Sequence, residues 1–90
     1  MPEPLPRQVI REHSFEKAIA AIIEDEREAD DFVDGAEFIL SRDPKSGFLL
    51  YPNGSVWFLP MCPVGGKQVT LFYTFNDEKV WLFGIRAVAG

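Results

Sequence analysis

Apolar residues in the first half of the chain recur at helical spacing. Phe15, Ala18, Ile19, Ile22 and Ile23 fall on one face of a helix, and Ala29, Phe32, Val33, Ala36, Ile39 and Leu40 form a second such face. Ser14 is placed to cap the first helix, because its hydroxyl can accept a bond from an orphaned backbone N–H. The acidic run Glu24–Glu28 interrupts the apolar face, and Asp25 followed by Glu28 has the spacing of a capping box. The pattern predicts two helices, 14–24 and 26–42, forming a hairpin. One long bent helix is the alternative, since no glycine or proline separates the two faces. Asp43-Pro44 ends the helical region, because the residue before proline avoids the α conformation.

The second half reads differently. Short runs rich in β-branched and aromatic residues predict strands: "GFLLY", "SVWFLP", "KQVTLFYTF" and "KVWLFGIRAV". Pro52-Asn53-Gly54 is a turn signal, because Asn-Gly tolerates the positive φ of a tight hairpin. "MCPVGG" reads as a loop, with Gly65-Gly66 as its hairpin connector, and Asn76-Asp77-Glu78 turns the chain back again. Upstream of the helices, Val9 and Ile10 predict a short strand within 8–13. Residues 1–7, with three prolines, read as a flexible arm. Helices first and a meander afterwards predict a single α+β domain over 1–90, a helical hairpin at 14–42 packed on an antiparallel sheet at 47–88.

Ninety residues hold one core and no second domain. The net charge of −5 is unevenly placed. Residues 1–46 carry 12 acidic and six basic side chains, whereas residues 47–90 carry two acidic and three basic. No basic stripe marks a phosphate-binding surface, which disfavours RNA or DNA as a strong ligand. The lone Cys62 cannot form an internal disulfide. It reads as a small buried hydrophobe, and no Cys/His cluster suggests a metal or cofactor. His13 has no evident catalytic partner. The apolar helical stretch Ala18–Ile23 is far short of the roughly 20 residues that span a bilayer. The cytoplasm is the expected location.

Nine of the twelve aromatic residues follow residue 46, and Val80-Trp81-Leu82-Phe83 does not alternate with polar residues. A strand apolar on both faces expects cover on both. The helices cover one face. A folded-back segment, a second copy or a partner protein must cover the other.

Three stretches resemble the RelE/ParE superfamily of bacterial toxin–antitoxin toxins: "SFEKAIAAII", "SRDPKSG" and "VTLFYTFNDEKVWLFGIR". The resemblance implies a RelE/ParE-like α+β fold and an antitoxin partner. In the ribonuclease branch it implies metal-independent RNA cleavage by the 2′-hydroxyl. It places Tyr73 at the penultimate-strand tyrosine and Arg86 at the basic position near the chain end. The family's arginine three residues before that tyrosine is Thr70 here, with Lys67 the nearest substitute. Arg86 and Lys67 would offset phosphate charge, and Tyr73 would orient the substrate. The alternative is a non-catalytic toxin-fold domain that self-associates or binds a protein through its aromatic sheet.

Overall fold

A computed structural model describes residues 6–50 and 54–89. Strand β1 (Gln8–Arg11) leads into helices α1 (His13–Ile22) and α2 (Glu26–Arg42). A 3₁₀ turn (Pro44–Ser46) precedes β2 (Phe48–Leu49), β3 (Trp57–Val64), β4 (Lys67–Phe75) and β5 (Lys79–Ala89). The five strands form one sheet in the order β1-β5-β4-β3-β2. Strands β2 to β5 pair antiparallel, and β1 alone runs parallel to its neighbour, β5.

Two helices form rather than one bent rod. The Asp25 carboxylate accepts from the Glu28 backbone N–H at 3.0 Å and starts α2. Ile23, just outside α1, takes an extended conformation and turns its side chain into the core, 4% exposed. The start of α1 differs from the expected Ser14 cap. Glu12 is tied to the Leu82 carbonyl at 3.0 Å, which extends the β1 ladder, so the chain enters the helix one residue early. Ser14 is then inside α1, and its hydroxyl donates to the Phe83 carbonyl at 3.4 Å.

The predicted loop at "MCPVGG" is mostly strand. Met61 pairs with Val69 and Val64 with Lys67, with a register shift between them at Cys62-Pro63. Beyond the two residues of β2, β3 is an edge strand. Pro60 and Pro63, which lack an N–H, are tolerated there. Cys62 is consequently exposed, not buried. Gly65 and Gly66 make the turn itself, with φ of +58° and +78°, the left-handed conformations of a two-residue hairpin. The turn expected at Pro52-Asn53 lies outside the described residues, as does most of the N-terminal arm. Arg7, assigned to that arm, is held. Its N–H donates to the Ser41 carbonyl and its Nε to the Asn76 carbonyl, both at 2.8 Å.

Helices and sheet pack as two layers over one core. Phe15, Val33, Ala36 and Leu40 from the helices meet Leu59, Leu71, Tyr73, Val80 and Leu82 from the sheet, all essentially buried. The alternation of β4 decides the faces. Val69, Leu71 and Tyr73 point to the helices, and Gln68, Thr70, Phe72 and Thr74 point away. No helix among the described residues is long and apolar enough to cross a membrane.

Candidate functional site

The face turned away from the helices is the first candidate surface. Cross-strand partners share a face, so Phe58, Phe72, Thr70 and Arg86 lie together on it, with Trp81 opposite Thr74. None of its aromatic residues is fully buried. Phe48 stacks on Phe58 at a centroid distance of 5.3 Å and is itself 58% exposed. At the register shift between Phe72 and Tyr73, β5 holds one extra residue, and Gly84 lies bare beneath the Phe72 ring. Strands β3 and β4 carry no carboxylate, and neither does β5.

Arg86 is exposed on this face, opposite Thr70. The other two sequence-predicted residues are not beside it. Lys67 has the same parity as Val69, which sets it on the helix side of the sheet at the end of β4. There it borders a shallow recess shared with Glu24, Asp25 and Glu28. An anion approaching Lys67 meets those carboxylates as well.

Tyr73 is on the helix side too and is fully buried. Its hydroxyl donates to the Pro44 carbonyl at 2.5 Å and accepts from the Gly47 N–H at 3.2 Å. Burial pushes its pKa up to about 12. The Gly47 N–H works against that shift and the nearby Asp43 carboxylate works with it. Tyr73 therefore braces the turn after α2 and so places β2 with its Phe48. The Tyr73 hydroxyl is thus engaged inside the fold and not presented at the surface.

Arg11 is the residue that sequence reasoning missed. It reaches from β1 to one side of α2, with Nε on Glu37 at 2.5 Å, one terminal nitrogen on Asp34 at 3.1 Å and the other 3.9 Å from Asp30. The hydrogen bond to Glu37 raises the Arg11 pKa, burial opposes this, and the charges of Glu37, Asp34 and Asp30 add to it. The spacing of Asp30, Asp34 and Glu37 was the available signal, since it aligns three carboxylates on one helix side. Among the described residues no group of three or more His, Cys, Asp or Glu side chains is arranged to hold a metal ion.

No protein-family model matches the chain, and no curated protein matches it. A search of solved structures finds a chain of the toxin–antitoxin complex RelBE2 from Mycobacterium tuberculosis. The two superpose with a TM-score of 0.71 over 96% of this chain and 95% of that one, at 20% sequence identity. The chain has the RelE-like toxin fold. Apart from β1, its helices come first and its sheet second, as the α+β reading expected. At this identity the RelE-like fold fixes the frame and not the roles of single residues. In that frame Arg86 occupies the open face, while Tyr73 and Lys67 belong to the helix side.

Proposed function

We propose that this chain is the toxin-like component of a toxin–antitoxin pair and that the open sheet face is its working surface. The observation that carries this reading is the RelE-like fold, shared over 96% of the chain with part of a toxin–antitoxin complex. The open face supports it physically. A largely apolar sheet face left without a layer of its own is an interaction surface, and an antitoxin segment laid across it would bury Phe48, Phe58, Phe72 and Trp81.

An RNA-directed activity would use the same face. Aromatic rings offer stacking platforms for bases, and the Arg86 guanidinium suits a phosphate. In metal-independent cleavage the 2′-oxygen attacks phosphorus, the P–O5′ bond breaks and a 2′,3′-cyclic phosphate remains. The attacking hydroxyl gives up a proton and the leaving 5′-oxygen gains one. Arg86 can offset the charge that develops on phosphorus. Tyr73 and Lys67 face the other way, so the geometry favours binding over a complete catalytic set. The non-catalytic reading rests on that separation.

Tightly induced expression in a bacterial host separates these readings, together with incubation of the purified protein with RNA in chelator. The toxin reading expects growth arrest. Cut RNA in chelator adds the ribonuclease, and arrest with intact RNA removes it. Normal growth at high soluble expression removes the toxin reading and leaves an interaction domain of the same fold.

A further inference from the structure

Strand β5 is apolar toward both faces but covered on one. Val80 and Leu82 are fully buried under the helices, whereas Trp81 and Phe83 stay part-exposed. Toward the open face β5 presents Lys79 and Trp81 and then, past the register shift, Gly84, Arg86 and Val88. Gly84 stands opposite Phe72 in the middle of this row. It has no positive φ to accommodate, and the nearest neighbours of a Cβ there would be Phe72 atoms at an ordinary 3.5 Å. The row therefore dips between Trp81 and Arg86, with Phe72 at its side. A glycine inside a strand weakens it and marks a place where another chain can come close to the backbone.

The charges on β3, β4 and β5 are of one sign. Lys79 and Arg86 bracket the dip, roughly 20 Å apart along the strand. The ion pairs of the described residues all belong to Arg11, so neither cation has a carboxylate partner among them. None of the three strands carries a carboxylate. Beside the row, β4 contributes only Thr70, Phe72 and Thr74 at the matching positions.

We propose that this face seats one amphipathic helix of a different protein, lying along β5 with an apolar seam over Trp81, Gly84 and Phe72 and a carboxylate near each end, against Lys79 and Arg86. About 14 helical residues span the two cations. The inference rests on the open face being the working surface and names what fits it. A single segment laid on a sheet face has to satisfy its own backbone groups, which a helix does and a lone strand does not. Strand addition is poorly served at the β3 edge beyond β2, where Pro60 and Pro63 offer no N–H. Charge selects the occupant. Two copies face to face would bring four cations together with no carboxylate from β3, β4 or β5 to meet them. Nucleic acid, with a phosphate every few ångströms, finds only two cations so widely spaced, on a chain of net charge −5. A helix with two spaced carboxylates matches both cations and covers Trp81 and Phe72 between them.

Selection from a displayed library tests the proposal against the immobilised chain, with circular dichroism confirming the fold of each variant. The library holds helices about 18 residues long, built on one leucine seam with both ends of the flanking face randomised. Binders are expected to carry Asp or Glu at both ends. Arg86→Glu should turn the preference at one end to Lys or Arg and weaken the original binders at least about tenfold. Gly84→Leu fills the dip and should abolish binding while the fold is kept. No binders, binders with indifferent ends, or binders that tolerate either variant overturn the proposal. A dimer of the chain alone in sedimentation equilibrium, lost with Gly84→Leu, overturns it in favour of a second copy. Single-stranded RNA that binds, is lost with Arg86→Glu and has no helical rival overturns it in favour of RNA. If Gly84→Leu fails to fold, Arg86→Glu, at an exposed side chain, decides alone. Growth arrest by a chain without acid-ended binders leaves the toxin reading standing and removes this one.

Discussion

Gly47 lies so close beneath the Tyr73 hydroxyl and the Phe58 carbonyl oxygen that a Cβ at Gly47 would collide with both. Its backbone is ordinary and extended, so proximity and not conformation reserves the site for glycine. Gly47→Ala is expected to destabilise the fold by about 1–3 kcal/mol through overpacking. Tyr73→Phe leaves the Pro44 carbonyl and the Gly47 N–H without their partner and is expected to cost about 1–3 kcal/mol. The double variant should lose less than the sum, because removing the hydroxyl removes one of the two collisions. Urea titrations of the three variants measure these terms.

Alkaline pH should find the same tyrosine. Its folded pKa is raised from the ordinary 10 to about 12, so the folded state favours the neutral phenol. The stabilisation is complete below pH 10 and is lost as pH rises from about 10 to 12, at most on the order of 3 kcal/mol. Denaturation midpoints measured across that range should fall in the wild type more steeply than in Tyr73→Phe. Equal slopes would show that the phenol is not the group responsible.

Arg11 fastens β1 to α2 through Glu37, Asp34 and Asp30. Arg11→Met would leave three neighbouring carboxylates without their cation, and a loss of about 1–3 kcal/mol is expected. Arg11→Lys should recover only part of it, since an ammonium cannot fork to several carboxylates. Thermal unfolding of the three proteins at low and at high salt checks this. The difference should shrink as salt screens the partly exposed cluster.

Arg86 is expected to separate stability from function. It is exposed, and Arg86→Ala should change stability by no more than about 0.5 kcal/mol. Under the toxin reading the same variant should relieve growth arrest. Arrest that persists undiminished with Arg86→Ala would move the activity elsewhere on the open face.

The fold was legible where one local rule governed. The boundaries of β4 follow from its density of β-branched and aromatic residues, and Asp25 caps α2 as its spacing from Glu28 announces. The Gly65-Gly66 turn was equally plain. Misreadings arose where a distant element intervened. The Leu82 carbonyl moves the start of α1 away from Ser14. The brevity of β2 frees an edge on which two prolines can sit within β3. For the candidate site, Tyr73 and Arg86 were both found as notable residues. Their separation onto opposite faces depends on strand parity through a register shift, which no window of sequence displays. Arg11 was hidden for the same reason, because its three partners come from an element more than a dozen residues away.

The parallel pairing of β1 with β5 has a consequence for synthesis. Gln8 meets Lys79, about 70 residues later, and closing so long a loop is slow relative to local pairing. While the ribosome still holds the last strand in its exit tunnel, β1 has no neighbour to join and α1 has lost its main sheet contact. The nascent chain can form α2 and the β3–β4 hairpin, but the strand that unites them arrives only once β5 has emerged. Until then the aromatic residues of β3 and β4 lack their neighbour, and a binding partner made nearby could reach them before the domain has closed.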